Sequence, residues 1–229
     1  MTSYRDKYMV DVPEGASGNW GIRKFSVNEA EASLGATLSM YSGGGHGRYV
    51  PAGTYTALYR SRGPFVPYTD VTTGKENMGE IIMSDTPDEI RDHARFMRRS
   101  HGHVLIAGLG LGMVLQGCAV KDEVKSVTVI ELSPDVIKLV EPHYKAKPFG
   151  HKVTIINADI FDWKPAKGVK FDCAWFDIWD GLCTDNLDEM AKLNRKFARI
   201  CPDKGSWGRE LLLDRRRHEK DAPWNQRRA

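Results

Sequence analysis

No apolar run in this chain approaches the roughly 20 residues that a membrane-spanning helix needs, and no segment repeats another. The start, "MTSYRDKYMVDVPEG", has no apolar centre of the kind a secretory leader carries. Cysteine is scarce. The four present, Cys118, Cys173, Cys183 and Cys201, show no C-x-x-C spacing, which excludes a disulfide framework and leaves no expected metal site. The expectation is of reduced thiols in a cytoplasmic protein without membrane attachment. Charge of one sign is also lacking, with 33 basic against 30 acidic residues and a net charge of +3. The positive excess gathers in the tail "DRRRHEKDAPWNQRRA", where interleaved acids argue against a nucleic-acid partner.

What remains is a chain of 229 residues, 41% hydrophobic, enough for one substantial core with an appendage. Three segments are expected. Residues 1–82 are rich in Gly, Tyr, Thr and Pro and read as a small β-rich appendage, with short strands at "WGIRKFSV", "TYTALYR" and "GEIIMS". His46 lies in a glycine-rich loop within it. Residues 83–203 alternate strand and helix. "TPDEIRDHARFM" opens a helix with Thr86 as cap, Pro87 at the first helical position and Glu89 completing a capping box. The apolar strands "HVLIAG", "SVTVIEL", "KVTIINAD" and "FDCAWFD" follow, separated by helices opened by Ser133 and Thr184. Residues 204–229 form a charged tail. Continuous apolar strands alternating with helices predict an α/β fold, a Rossmann-like doubly wound, mostly parallel sheet.

Ligands in such sheets bind outside the carboxyl ends of the strands. Gly108, Gly110 and Gly112 form G-x-G-x-G directly after the first of these strands, where they permit a tight turn and the approach of a ligand. Glu131 ends the second strand about 20 positions on, the place of an acid that holds both ribose hydroxyls. Met113 stands where the dinucleotide fingerprint has its third glycine. Asp159 ends the third strand, either as an adenine contact or as an ordinary turn aspartate. The fourth strand ends in "FDIWDG", with Asp177 and Asp180 three positions apart around Trp179. Two carboxylates at a buried strand end are costly without partners. Either they serve chemistry, or they cap the next segment and form a salt bridge. Trp179 either stacks on a substrate or packs in the wall.

Together, "VLIAGLGLGM", "VTVIELSPDVI", "VTIINADIFDW" and "FDCAWFDIWDG" resemble the motifs of class I S-adenosylmethionine (AdoMet) dependent methyltransferases, over roughly Val104 to Phe197. The resemblance implies AdoMet as cofactor, with Gly108, Gly110 and Gly112 along the methionine moiety. It also implies Glu131 on the ribose, with Leu132 beside it, and Asp159 with Ile160 around the adenine. Within that superfamily the D-x-x-D of Asp177 and Asp180 is similar to that of the spermidine synthases, in which the first acid deprotonates an amine nucleophile. Leu111 stands where that family has an aspartate for the aminopropyl amine, and Asp92 and His93 stand near the place of its Tyr-Gln pair. Ordinary AdoMet is therefore expected. The sheet is expected to be truncated at its C-terminal side, since "CPDKGSWGRELLLDRRRHEK" offers no convincing strand pair, and its edge is expected to be covered by the N-terminal segment or a second subunit.

The activity implied is methyl transfer to a small-molecule or side-chain acceptor, one bearing an amine fitting best. Asp177 and Asp180 are the expected catalytic residues, with Asp177 also near the cofactor. Trp179, Asp85 and Tyr55 are expected on the substrate side, and a homo-oligomer is compatible with the chain. Spermidine synthase-like aminopropyl transfer and non-catalytic AdoMet binding are the alternatives.

Overall fold

The computed structural model describes residues 8–41, 49–66, 68–69, 76–77 and 79–221; His46 and the last eight residues of the tail lie outside them. The first part of the chain builds a four-stranded antiparallel sheet from β1 (Gly15–Ser17), β2 (Trp20–Val27), β3 (Gly53–Arg60) and β6 (Glu80–Ser84), in the order β1-β2-β3-β6. The pair β4 (Tyr68–Thr69) and β5 (Glu76–Asn77) forms a separate ribbon. A helix, α1 (Glu29–Tyr41), stands between β2 and β3, where the sequence was read as strands and loops only. Its start carries a reciprocal cap. The Glu31 amide donates to Asn28 Oδ1 at 2.9 Å, and the Asn28 amide donates to Glu31 Oε2 at 3.0 Å. That N-x-x-E pattern was a legible signal for the helix.

The second part is a five-stranded, wholly parallel sheet. Its strands are β7 (Gly102–Ala107), β8 (Val124–Glu131), β9 (Val153–Asn157), β10 (Cys173–Phe176) and β11 (Asp203–Ser206), in the order β11-β10-β7-β8-β9. The helices are α2 (Pro87–Arg99), α3 (Met113–Ala119), α4 (Pro134–Lys145), α5 (Asn186–Lys196) and α6 (Arg209–Asp221). Side chains alternate across each strand. Val104, Ile106, Cys173 and Trp175 face one core, shared with α2, α3, α4 and the N-terminal sheet. Leu105, Ala107, Ala174 and Phe176 face the other, closed by Leu193 and Phe197. The sheet is thus buried on both sides, which is why its strands read as unbroken apolar runs.

Several local expectations change. Asp203–Ser206 is a fifth strand, in register with Cys173–Phe176. Its sequence, DKGS, has no strand character of its own; the open edge of β10 recruits it. No further strand follows among the described residues. Ser133 does cap α4, its Oγ accepting the Val136 amide at 3.3 Å. Thr86 occupies the cap position of α2 without a side-chain bond. Glu89 does not close a box with it; its carboxylate accepts the Ser84 amide at 2.8 Å and the Ser84 hydroxyl at 2.6 Å. The cap position of α5 is Asp185, not Thr184, and its buried face is Leu187, Met190 and Leu193. Among the described residues no helix is long and apolar enough to cross a membrane.

The N-terminal sheet lies against α4 and the strands beyond. Ser17 Oγ donates to Asp135 Oδ1 at 2.6 Å, and Val10, Val12, Ile22 and Leu58 enter the larger core. Asp85, at the end of β6, is completely buried. Its Oδ1 accepts the Thr56 amide at 2.7 Å and its Oδ2 accepts the Val10 amide at 3.1 Å. Burial raises its pKa, and the amide bonds oppose that rise. Asp85 therefore ties the chain start to β3. Replacing it with alanine strands two buried N–H groups, each costing about 1–3 kcal/mol. Asp85→Ala is expected to lower unfolding free energy by about 2–6 kcal/mol in urea melts.

Candidate active site

The chain order reverses between β7 and β10. From β7 the chain steps outward to β8 and β9, then crosses back to β10 on the other flank of β7. A crevice forms at the carboxyl ends of two such strands because their connections leave in opposite directions. A cavity of about 410 Å³ opens there, within the usual size of a small-molecule site.

The glycine turn after β7 closes one wall. Gly108 has φ +92°, and a Cβ on it would lie 1.9 Å from the Asp177 carbonyl oxygen. Glycine is thus needed for both the backbone angle and the close approach to the end of β10. Gly108 and Gly110 line the cavity. Gly112 does not; a Cβ there would meet the Tyr144 ring at 2.1 Å. Its place is packing against α4, where the Tyr144 hydroxyl donates to the Leu111 carbonyl at 2.8 Å. Leu111 is fully buried and is not part of the lining either.

Several amides of the turn are bonded within the protein. Leu109 N–H donates to Glu131 Oε2 at 2.7 Å, Leu111 N–H donates to the Met83 thioether at 3.3 Å, and Gly112 N–H donates to the Leu109 carbonyl at 2.8 Å. Glu131 lines the cavity and holds the loop as well, since its Oε1 accepts the Ser133 amide at 2.7 Å. Burial raises its pKa against these amide bonds. Leu132 lines the cavity while largely exposed, and Ile160 lines it while buried. Asp159 also lines it, although its Oδ1 accepts the Phe161 amide at 2.7 Å in a local turn. Lys196 on α5 holds this corner by donating to the Ile160 and Phe161 carbonyls at 2.8 and 2.6 Å.

At the end of β10 the two acids part company. Asp180 is half exposed and forms an ion pair with Arg60 of β3 at 2.7 Å. Arg60 also reaches Glu80 at 3.3 Å and lies 5.6 Å from the Trp20 ring centroid. Asp177 has only 22% of its side chain exposed. Burial, then the charges of Glu89 and Asp92, push its pKa up to about 7. Its Oδ2 lies 3.5 Å from Nε2 of His93, whose own pKa burial lowers to about 4. The two are therefore a carboxyl group and a neutral imidazole, not an ion pair. Trp179 is fixed by its indole N–H, which donates to Glu189 Oε2 at 2.7 Å, and its ring forms wall and packs on Leu187 and Met190.

Two expected substrate residues lie elsewhere. Tyr55 is buried away from the cavity, its hydroxyl donating to the Pro51 carbonyl at 2.8 Å, and Asp85 is the internal tie described above. Sequence reasoning missed Arg60, Glu89, His93, Glu189 and Trp207, all of which line the cavity. Only α2 carried a signal: Glu89 and His93 lie one helical turn apart on the side that also buries Ile90, Ala94 and Met97. The lining carries six carboxylates, Glu89, Glu131, Asp159, Asp177, Asp180 and Glu189, against one guanidinium, Arg60. Among the described residues no group of His, Cys, Asp and Glu is arranged to hold a metal ion.

No protein-family model and no curated protein matches the chain. Among solved structures it is similar to the CcbJ methyltransferase from Streptomyces caelestis, at 20% identity over 50% of this chain and 48% of that one, with a TM-score of 0.41. It is similar to the N-methyltransferase NodS from Bradyrhizobium japonicum WM9, solved with S-adenosyl-L-homocysteine, at 17% identity over 50% and 57%, TM-score 0.40. It is also similar to the N-terminal domain of EvdMO1 with S-adenosyl-L-homocysteine bound, at 18% identity over 51% and 47%, TM-score 0.40. The chain spans about half the length of these structures.

The raised pKa of Asp177 has a consequence for stability. An unfolded aspartate ionises near pH 4, whereas the folded one ionises at about 7. Between those values the folded protein keeps a proton that the unfolded chain releases, so this residue's contribution becomes unfavourable as pH rises from 4 to 7 and stays so above 7. Asp177→Asn is expected to stabilise the folded protein at pH 8 by up to about 4 kcal/mol, seen as a higher Tm, and to raise Tm far less at pH 5. Thermal melts of both proteins at the two pH values check this; an equal difference at both would mean Asp177 titrates like an exposed aspartate.

Proposed function

We propose that the chain is an AdoMet-dependent methyltransferase whose acceptor bears an amine. One observation carries the reading: a crevice at the switch point of a parallel sheet is lined, among the described residues, by six carboxylates against one guanidinium. A dinucleotide would bring an anionic pyrophosphate to the glycine turn of that crevice. A nucleoside carrying a cationic sulfonium fits the charge of this cavity instead. When bound, AdoMet supplies a methyl group already activated by sulfur.

The residues divide the remaining work. Glu131 is placed for the ribose hydroxyls, with Leu132, Asp159 and Ile160 around the base and Gly108 and Gly110 beside the amino-acid end. Asp177 faces the sulfonium and the incoming nucleophile. With a pKa of about 7 it can take a proton from an ammonium acceptor near neutral pH, the condition under which a general base works well. Asp180, paired with Arg60 at the mouth, is placed on the acceptor side with Trp179. Holding the nucleophile in line with the methyl group is the larger part of such catalysis.

Calorimetry with AdoMet, S-adenosyl-L-homocysteine and NAD tests the cofactor; AdoMet and its demethylated product are expected to bind and NAD to bind more weakly. Tighter NAD binding would overturn the proposal. Transfer of label from methyl-labelled AdoMet to a panel of small amines and basic peptides then tests the acceptor class. Glu131→Ala is expected to weaken AdoMet by about 1–3 kcal/mol. It is also expected to lower Tm, because the Leu109 and Ser133 amides lose their partner. An unchanged affinity in the folded variant would put the ribose elsewhere.

A further inference from the structure

His93 is a titratable group at the cavity to which the reading above gives no task. It lies on α2, 3% exposed, with its ring edge-on to Trp175 at 5.9 Å between centroids. Trp175 belongs to β10, two residues before Asp177, and stacks on Phe96 at 5.1 Å, which holds the indole in one orientation. The indole Nε1–H donates to His93 Nδ1 at 3.1 Å. An indole nitrogen can only donate, so Nδ1 must accept. Burial keeps the imidazole neutral, with its pKa at about 4, and a neutral imidazole carries one proton. That proton is therefore on Nε2, and Nε2 faces Asp177 Oδ2 across 3.5 Å.

We infer that Trp175 and His93 are positioning residues for Asp177: the indole fixes the imidazole tautomer so that an N–H, and not a lone pair, faces the carboxyl group. The other tautomer would set two N–H groups against each other at Trp175 and a lone pair against the Asp177 oxygen. The inference deepens the reading of Asp177 as proton acceptor and rests on it. Its electrostatic sense is clear from the surroundings. Glu89 and Asp92 on the same helix both raise the Asp177 pKa, as burial does, and the Trp207 indole is turned to Asp92, donating to its Oδ2 at 3.2 Å. Asp180, further along the same loop, is paired with Arg60. Within that acidic surrounding the Nε2–H favours the ionised form of Asp177, and so keeps the group from rising beyond the range in which it can accept a proton near neutrality.

Nitrogen-15 shifts of His93 and a carbon-13 titration of the Asp177 carboxyl, both on the full chain without ligand, test the relay. The wild-type protein is expected to show the Nε2–H tautomer. Trp175→Phe keeps a ring to stack on Phe96 but removes the donor. It is expected to mix the tautomers and raise the Asp177 midpoint by roughly half a pH unit, the order of losing one N–H dipole aimed at the carboxyl group. His93→Leu should raise the midpoint similarly, and His93→Gln, which can present an N–H again, should bring it back towards the wild-type value. A protein whose packing alone was disturbed would not show that rescue. An Nδ1–H tautomer in the wild-type protein overturns the inference and requires no variant to fold. An unchanged Asp177 midpoint in folded Trp175→Phe and His93→Leu also overturns it. None of these measurements uses AdoMet or turnover, so failure of the methyltransferase reading and failure of the relay would be seen separately.

Discussion

The contact between Gly108 and the Asp177 carbonyl is the constraint on which the site depends. It joins the end of the central strand to the end of its neighbour at the place where chain order reverses. No side chain can stand between them, since a Cβ would lie 1.9 Å from the oxygen. The backbone of Asp177 is held to the same strand by its amide, which donates to the Ala107 carbonyl at 2.9 Å. With the backbone pinned, the side chain of Asp177 has little choice but to enter the crevice. Desolvation follows from that position, and the unusual proton affinity follows from desolvation.

Around this point carboxylates outnumber cations among the described residues. Folding brings six carboxylates to one cavity and gives them one guanidinium. Unpaired charge in a partly buried site lowers stability, and natural chains tolerate such sites where a ligand or a reaction uses them. The carboxylates also differ in state. Asp180 is tied to an arginine at the mouth, Glu131 is clasped by backbone amides, and Asp177 has a neutral imidazole beside it. One functional group, the carboxylate, is thus set in three states by environment rather than by chemistry.

The N-terminal sheet is part of this arrangement and not a separate ornament. β3 supplies Arg60 and Leu58 to the cavity wall, and β6 supplies Met83, whose thioether accepts the Leu111 amide of the glycine turn. Asp85 keeps that sheet in place from inside. The buried acid and the site are therefore linked through the strand positions they set, although they do not touch the same ligand space.

Much of this was written locally. The alternation of apolar strands with helices, the Ser133 cap, the glycine turn, Glu131 at a strand end and two acids closing the fourth strand could all be read from short-range pattern, because period, capping and turn chemistry involve residues close in sequence. The tertiary structure decided what depends on distant partners. DKGS became a strand because β10 offered an open edge. Tyr55 and Asp85 became internal supports because their partners lie within the N-terminal region. Asp180 met Arg60 across the mouth, and His93 met Trp175 across 82 positions of sequence. Such contacts leave no periodic trace. They exist only once the sheet has brought the end of β10 against α2, and it is there that an aspartate of ordinary sequence context acquires a proton affinity near neutrality.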